Sequence, residues 1–450
     1  MASCAPESRL PAARCAAWLA VIATAVGAGA APALAARPAD ALWTQQWALQ
    51  PGGPLDGQAA WALADSAKGA VVAVLDTGID AGHPELRGAL WTNPGEIANN
   101  GADDDANGWV DDIHGADFVR GDGAPDDEEG HGTHIAGLIA AAHDNAGIAG
   151  LAPGSGIMAV KVLDGARSGT ASRAADGIRY ALANGADVIN VSVNGDTAGQ
   201  ALTDAVAAAD AAGVPVVASA GNDGRDLDAR PSYPASFDAS TVLAVAGAGQ
   251  DGLLASFSNF GARTVDVAAP GEEIVSTAPG RGYATRSGTS MAAPYASATL
   301  ALMRGARPDL SGAQLVATLR ATSARRSGLG GTLQAGQLDP AAALRAVLPA
   351  DRVAAAAAAT AGPSLTARVA RRARRSSAAR APLRVLVTWR VVGRRAGIAA
   401  FKVTAGGGRT IATGGTHARG AWIQTRARRV RVTALDSARR PLASAVVRLR

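Results

Sequence analysis

Short apolar runs alternate along most of the chain with longer alanine-rich segments. The runs are continuous and rich in β-branched residues, and they lie at 70–75, 157–163, 188–193, 214–218 and 242–245. Continuous runs of this kind are typical of parallel strands that are buried on both faces. Segments of helical character lie between them, at 131–142, 172–184, 198–212 and 290–304. The alternation predicts an α/β fold, a doubly wound and mostly parallel sheet, over residues 37–348.

A different pattern begins after this domain. Residues 349–380 are rich in alanine and arginine, and we interpret them as a linker. Beyond the linker, short β-like runs are separated by glycine or polar turns, at 384–389, 399–404, 410–413, 429–434 and 445–448. Short strands at regular spacing predict a small β-sandwich-like domain over residues 381–450.

The first 36 residues have the features of a secretory signal peptide. Two arginines precede an apolar, uncharged run at 16–31, and residues 33–35 are Ala-Leu-Ala, which matches a signal-peptidase site. A permanent membrane anchor is the alternative, but the run is short and rich in alanine, which favours cleavage. Both cysteines, Cys4 and Cys15, lie in this segment, so we expect no disulfide in the mature chain. The prediction is a secreted, extracellular protein, with retention at the cell surface left open.

The formal net charge of +5 conceals an asymmetry along the chain. From residue 365 to the C-terminus there are 21 Lys and Arg against one acid, Asp436, whereas the remainder has 22 against 37 acids. Opposite charges of this size indicate separate domains. Two interpretations stay open: the basic domain binds an anionic surface or polymer, or its arginine content reflects codon composition and solubility. We find no nucleic-acid-binding motif, and we expect a monomer.

Four glycine-flanked segments carry an Asp, a His, an Asn and a Ser in that order. Asp76 follows the run at 70–75, Asn222 follows the run at 214–218, and His131 and Ser290 each begin a predicted helix. Acyl transfer needs a nucleophile, a base, a group that orients the base and a donor to the oxyanion. The order Asp, His, Ser is one of the three chain orders in which such triads occur.

The sequences around these residues resemble those of the subtilisin-like serine peptidases, the subtilases. They are Asp-Thr-Gly, His-Gly-Thr-His, Ala-Gly-Asn and Gly-Thr-Ser-Met-Ala-Ala-Pro, and the resemblance extends over residues 43–348. It implies a secreted serine endopeptidase that cleaves polypeptides through an acyl-enzyme. In that mechanism Ser290 is the nucleophile, His131 the base and Asp76 its orienting group. Asn222 and the backbone N–H of Ser290 then bind the oxyanion.

The same resemblance implies a segment that binds substrate. Ser192, Val193, Asn194 and Gly195 match the strand end that pairs with the substrate backbone, as in other cases of strand addition. Subtilases commonly have glycine where Asn194 stands. We expect Asn194 to narrow the entrance of the neighbouring pocket or to make it more polar.

Three other interpretations compete with the peptidase. In the first, His131 and His134 are metal ligands, although no glutamate stands at the position that zinc peptidases use. In the second, the chain is a binding protein that kept the fold and lost catalysis, which the four filled chemical positions disfavour. In the third, the basic C-terminal domain carries the main role and holds the peptidase on an anionic surface.

An acidic segment between the Asp and His motifs predicts a metal site. Asp103, Asp105 and Asn107 place oxygen side chains at alternate positions before Gly108, and Asp112 follows. This spacing is typical of loops that wrap a hard cation such as calcium. The segment resembles the first half of an EF-hand loop but lacks its final glutamate. We expect structural calcium at Asp103, Asp105, Asn107 and Asp112, with a solvated acidic turn as the alternative.

Overall fold

A computed structural model of the chain describes residues 38, 40–64, 69–144 and 146–360. In the C-terminal region it describes residues 364–374, 383–392, 400–405, 410–415, 420–425, 429–435, 439 and 441–448. The predicted signal peptide, residues 1–36, lies outside the described residues. Within the described ranges, no helix combines the length and the apolar character needed to cross a membrane.

The elements up to residue 360 alternate between strands and helices. Short 3-10 turns cover Trp43–Gln45, Trp47–Leu49 and Ser327–Leu329. The other elements are, in chain order, α1 (Gly57–Trp61), β1 (Val71–Asp76), β2 (Gly115–Asp117), α2 (His131–Ala140), β3 (Gly156–Lys161), α3 (Ala171–Ala183), β4 (Val188–Val191), α4 (Gly199–Ala212), β5 (Val216–Ser219), β6 (Val242–Ala248), β7 (Val267–Pro270), β8 (Ile274–Ala278), β9 (Gly282–Arg286), α5 (Thr289–Ala306), α6 (Gly312–Thr322), β10 (Gly336–Gln337), α7 (Pro340–Val347) and α8 (Ala350–Thr360).

Eight of these strands form one sheet in which every pair is parallel. Their order is β10-β7-β6-β5-β4-β1-β3-β2. From β1 the chain first builds one side of the sheet with β2 and β3, and it then crosses to the other side with β4. The direction of winding therefore switches beside β1, and in such sheets ligands bind at the carboxyl ends of the strands next to the switch. The predicted doubly wound α/β fold is confirmed.

Helices cover both faces of the sheet, and the side chains of β1 contribute to the apolar cluster on each face. Val72 and Val74 belong to the apolar cluster that contains α2, α5 and α7, whereas Ala73 and Leu75 belong to the cluster that contains α3 and α4. Successive side chains of a strand point to opposite faces, so a continuous apolar run fills both clusters. In α5 every residue from the start of the helix to Met303 is buried, and small side chains allow this close packing.

Several element bounds differ from the sequence prediction for local reasons. β5 begins at Val216 rather than at 214, because Pro215 has no N–H to contribute to the sheet. β7 and the two-residue β10 were missed, since their short, small-residue sequences carry little strand signal. The β8–β9 hairpin was also missed, and it immediately precedes α5.

Among the described residues of the C-terminal region, seven antiparallel strands form two sheets. These are β11 (Ser364–Arg374), β12 (Leu383–Val392), β13 (Ala400–Ala405), β14 (Thr410–Gly415), β15 (Gly420–Thr425), β16 (Arg429–Leu435) and β17 (Pro441–Arg448). The sheet orders are β11-β12-β15 and β14-β13-β16-β17, which agrees with the predicted sandwich-like architecture. In β16, exposed arginines alternate with buried valines, as in a sheet with one covered face.

The linker prediction for residues 349–380 needs correction. This stretch contains the helix α8 and the strand β11, and β11 pairs along its length with β12. Frequent arginines interrupt the apolar alternation of β11, so its strand character was not visible in the sequence. Strand β15 was missed as well. The β region therefore begins at residue 364.

Candidate active site

Asp76 ends β1 at the carboxyl edge of the sheet. Its side chain is fully buried, and its Oδ1 accepts hydrogen bonds from the Thr77 N–H at 2.8 Å and from His131 Nδ1 at 2.7 Å. The backbone bond fixes the carboxylate in one orientation, and that orientation aims it at the imidazole. A buried carboxylate is stable as an anion only when it is hydrogen-bonded in this way.

His131 is the first residue of α2 and is 4% exposed. The helix start can lie against the turn after β1 because residue 132 is glycine: a Cβ on Gly132 would lie 2.1 Å from the Gly78 carbonyl oxygen. Burial by itself lowers the pKa of His131, but the charge and the hydrogen bond of Asp76 outweigh burial and raise that pKa above its usual value. Asp76 thus favours the protonated imidazole.

Asp127 is a residue of this site that the sequence analysis missed. The residue at the N-cap of α2 is Gly130, which has no capping side chain, and Asp127 takes over this role. Its Oδ1 accepts from the N–H groups of residues 129 and 130 and from Thr77 Oγ1 at 2.8 Å, and its Oδ2 accepts from Thr133 N at 2.9 Å and Thr133 Oγ1 at 2.6 Å. One carboxylate therefore ties the start of the His131 helix to the turn that follows Asp76.

Ser290 is the second residue of α5 and is 6% exposed. Its Oγ donates to the Ser192 carbonyl oxygen at 3.5 Å, and its side chain lines the same cleft as His131. Ser290 thus stands in the first turn of α5, at the end where a helix stabilises negative charge.

Asn222 follows β5 and is held by the residue before Ser290. Its Oδ1 accepts from Thr289 N at 2.8 Å and from Thr289 Oγ1 at 3.0 Å. Because the Thr289 N–H can only donate, the oxygen of the amide must face Thr289. The Nδ2 donor of Asn222 is then directed away from Thr289, and Asn222 is one of the residues that line the cleft.

The cleft has a volume of about 770 Å³ and brings together most of the predicted residues. It is lined by His131, Ser290, Asn222 and the complete segment Ser192–Gly195. Gly195 pairs with Tyr233 in an antiparallel bridge, with N···O distances of 2.9 and 2.8 Å, and this bridge fixes one wall. The sheet accounts for the convergence, because the carboxyl ends of parallel strands share one edge.

Asn194 spans two neighbouring strand ends within this wall. Its Nδ2 donates to the Ser219 carbonyl oxygen at 2.6 Å, and its Oδ1 accepts from Ser219 Oγ at 3.1 Å. A glycine at this position could form neither bond. The side chain is thus fixed across the space between β4 and β5.

His134 is hydrogen-bonded to backbone carbonyl groups of the β8–β9 hairpin. Its Nε2 lies 3.1 Å from two carbonyl oxygens, those of Ile274 and Ala284, so Nε2 carries the proton and binds the β8–β9 hairpin. Burial, and then the charge of Arg286, lower the pKa of His134 to about 3, so it stays neutral. His131 and His134 are therefore bound to different partners, which disfavours the two-histidine metal site.

The acidic segment forms a cluster that differs from the predicted one. Carboxylate oxygens of Glu96, Asp105 and Asp112 lie within 4.8 Å of one another. Asp103 is not in this group, and its two oxygens accept from the N–H groups of Asn107 and Gly108 at 3.0 and 2.8 Å. This group leaves out Asp103 and includes Glu96, which the sequence pattern did not indicate because it precedes the patterned segment; the predicted ligand set stays a prediction.

The Asn107 side chain also departs from the prediction. Its Nδ2 donates to Asp105 and Asp112, at 3.2 and 3.0 Å, and its Oδ1 accepts from the Trp109 N–H at 2.8 Å. Asn107 thus presents a donor to the carboxylates rather than an oxygen to a cation. Within the cluster, Asp112 is fully buried and also accepts from the Tyr180 hydroxyl.

Comparison with known proteins shows which family this chain resembles. The sequence model of the Peptidase_S8, Subtilase family, matches residues 67–343. The thermophilic serine proteinase of Bacillus sp. (strain AK1) is 42% identical over 246 residues, which cover 54% of this chain and 54% of that protein. Thermitase of Thermoactinomyces vulgaris is 39% identical over 272 residues, which cover 60% of this chain and 86% of thermitase. The match therefore spans about half of the first relative and most of the second.

A solved structure shows the same similarity. Proteases from Pseudoalteromonas arctica PAMC 21717 superpose with a TM-score of 0.56 and 30% sequence identity. The match covers 69% of this chain and all of that chain.

The Asp127 network leads to a prediction. In Asp127→Asn, one oxygen becomes an NH₂ group that faces N–H or O–H donors, so at least one buried donor loses its acceptor. We expect a loss of about 1–3 kcal/mol in the free energy of unfolding, measured by denaturant titration. We also expect a weaker Asp76–His131 hydrogen bond, visible as an upfield shift of the His131 Nδ1 proton in NMR spectra. Asp251→Asn, at an exposed turn where Asp251 accepts from one N–H, is the matched control. Equal losses in the two variants would contradict the assigned role.

Proposed function

The chain belongs to the subtilase family, and on that premise we propose that it is a secreted serine endopeptidase. The observation that carries the proposal is the 2.7 Å hydrogen bond between Asp76 and His131, beside a cleft that Ser290 and Asn222 also line. The signal-like residues 1–36 motivate secretion. Polypeptides are the proposed substrates.

In the proposed mechanism, Ser290 Oγ attacks the scissile carbonyl carbon while His131 removes the hydroxyl proton. Before attack the hydroxyl turns from the Ser192 carbonyl oxygen toward the imidazole, since the proton transfer needs a direct hydrogen bond. Asp76 holds Nδ1 protonated, so that Nε2 is the basic atom, and it stabilises the imidazolium that forms. His131 then protonates the leaving amine, and water releases the acyl group by the reverse steps.

Negative charge develops on the carbonyl oxygen when the tetrahedral intermediate forms. The orientation that Thr289 imposes on Asn222 leaves Nδ2 to donate to this oxyanion, and the Ser290 N–H is the second donor. Donors that are fixed before the reaction need no reorganisation during it, which is why such groups favour the transition state.

Substrate docking is proposed along Ser192–Gly195, with the substrate backbone added as a strand. The substrate residue before the scissile bond would then project between this segment and residues 221–223, beside Asn194. Because Asn194 is bonded across that space to Ser219, we propose that it restricts the pocket to small side chains.

The first prediction of the proposed function tests the nucleophile. Ser290→Ala should abolish labelling of the secreted protein by a fluorophosphonate probe, because the reacting oxygen is gone. The circular dichroism spectrum and melting temperature should stay near those of the wild type. Labelling that persists in Ser290→Ala, or a wild type that is not labelled at all, would refute the proposed function. The second result would favour the catalytically silent binding protein.

The second prediction tests the oxyanion donor. Asn222→Ala should lower kcat by about 10²–10³-fold with little change in KM, as in subtilisin when one such donor is removed. Asn222→Asp is the matched variant, because it keeps the size and can still accept from Thr289 but presents no N–H. A loss found mainly in KM would mean that Asn222 shapes the pocket instead.

We propose that Glu96, Asp105 and Asp112 bind a structural calcium ion. Three carboxylates at short separation repel one another, and Glu96 Oε2 is a buried oxygen without a hydrogen-bond partner among the described residues. Burial, and then the hydrogen bond and charge of Asp112, raise the pKa of Tyr180, so that its hydroxyl stays a donor to Asp112. Hard oxygen donors of this kind fit calcium.

The third prediction follows from the ligand set proposed here. Calcium that binds only the folded state should raise the melting temperature, by the equivalent of about 2.7 kcal/mol at 100 times the dissociation constant. Glu96→Gln should remove most of this effect, whereas Asp103→Asn should keep it, because Asp103 faces the backbone turn. Identical melting in chelator and in millimolar calcium would leave the solvated acidic turn as the explanation.

We further propose that the basic C-terminal region holds the protein on an anionic surface or polymer. The charge from residue 365 onward supports this, since it combines 21 Lys and Arg with a single acid. Helix α8 packs Ala356 into the core of the α/β domain, so a shortened chain should end at Thr360.

The prediction for this region concerns retention. The chain that ends at Thr360 should keep activity on small peptides and lose retention on an anionic resin and on anionic wall polymer. The full chain should elute steeply as added salt screens the contacts. Equal retention of both chains at low salt would favour codon composition as the origin of the arginines.

A further inference from the structure

An ion pair connects the segment before α2, the helix that begins at His131, with the strand before α5, the helix that carries Ser290. Glu129 stands two residues before His131, and Arg286 ends β9, four residues before Ser290. Arg286 Nη1 lies 3.1 and 3.3 Å from the two carboxylate oxygens of Glu129, and Arg286 Nη2 donates to the Glu129 carbonyl oxygen at 3.1 Å. Three contacts thus bind one side chain to both the backbone and the carboxylate of the other segment.

The pair lies partly out of solvent. The side chains of Arg286 and Glu129 are 25% and 20% exposed, so the contact is better shielded than a typical surface ion pair. The planar guanidinium also fixes geometry, since its N–H groups have set directions. Gly130, between Glu129 and His131, approaches the same hairpin closely: a Cβ there would lie 2.7 Å from Pro279 Cδ.

We propose that Glu129 and Arg286 are a positioning pair, which sets the separation of His131 and Ser290 and balances the charge around the base. The proposal rests on the proposed peptidase function and adds two residues to it. Neither residue touches the reacting atoms, and neither belongs to a motif that the sequence analysis used.

The charges around His131 come from several elements. Asp76 faces it from β1, neutral His134 lies one turn along α2, and Glu129 and Arg286 flank it from the preceding segment and from β9. Arg167, in the loop after β3, lies with its Nε 3.7 Å from Glu129 Oε1. Glu129 raises the pKa of His131 and Arg286 lowers it, so the two charges of the intact pair act on this pKa in opposite directions.

Removal of Glu129 alone and removal of Arg286 alone should therefore shift the pKa of His131 in opposite directions. In Glu129→Gln the remaining Arg286 disfavours the imidazolium, so the acid limb of kcat/KM should shift to lower pH. In Arg286→Gln the remaining Glu129 favours the imidazolium, so the limb should shift to higher pH. We expect shifts of about 0.3–1 pH unit, the size that a charge several ångströms away produces at a protein surface. The double variant should have a limb near that of the wild type.

A conservative variant separates geometry from charge. Arg286→Lys keeps the positive charge but loses the planar guanidinium that makes several contacts with Glu129. The acid limb of kcat/KM should therefore stay at the same pH, while kcat falls by about tenfold. Displacement of reacting groups by about 1 Å costs up to about 10²-fold in rate. The double variant Glu129→Gln/Arg286→Gln should lose no more kcat than the poorer single variant, because both members act through one contact.

Glu128→Gln is the matched control, since Glu128 is the neighbouring acid in the same segment. It pairs with Lys161 and Arg120 instead of Arg286. This variant should leave the pH limb in place even if it loosens the segment. In about 1 M salt the shifts of the two single variants should shrink, because the screening length falls to about 3 Å.

The outcomes are distinct. Opposite shifts in Glu129→Gln and Arg286→Gln, with cancellation in the double variant, support the pair. Shifts in the same direction, no shifts, or a shift of equal size in Glu128→Gln would overturn it while fluorophosphonate labelling of Ser290 still supports the peptidase. A wild-type chain without labelling at Ser290 would overturn both.

Discussion

The buried hydrogen bond between Asp76 and His131 is the contact around which the site is organised. It joins the last residue of β1 to the first residue of α2 at 2.7 Å, where neither side chain has much access to water. Taking a carboxylate out of water is costly unless charge and hydrogen bonds compensate. The Thr77 N–H and the imidazole supply them, and the absence of a Cβ at Gly132 allows the two backbones to come close enough.

Further polar contacts keep that geometry in place. Asp127 ties the turn after β1 to the start of α2, and hydroxyls of Ser276 and Thr277 donate to the His134 and Thr133 carbonyl oxygens, each at 2.7 Å. The β8–β9 hairpin thus holds α2, and the same hairpin leads directly into α5. Hydrogen bonds therefore hold the helix that begins at His131 against the hairpin, and the chain continues from the hairpin into the helix that carries Ser290.

Much of the fold and several residues of the candidate active site could be predicted from the sequence. Strands β1, β3, β4, β5 and β6 were visible because strands buried on both faces need continuous apolar runs. The proposed catalytic residues could be selected because each stands beside glycine in a short motif, and those motifs appear together in one order. The fold and the subtilase family were predicted correctly, whereas the roles of Asp76, His131, Ser290 and Asn222 stay predictions.

The sequence by itself determined the strands with continuous apolar runs, the helices between them and the side chains that are chemically suited to acyl transfer, because periodicity and short motifs are local properties. Tertiary structure alone decided which distant groups meet. Glu96 joins Asp105 and Asp112 while Asp103 turns to its own backbone, Asp127 caps a helix from outside it, and Arg286 reaches Glu129 across 157 positions of chain. No spacing rule covers such contacts. They depend on how the sheet and its hairpin fold over one another, and so on packing that involves the whole domain.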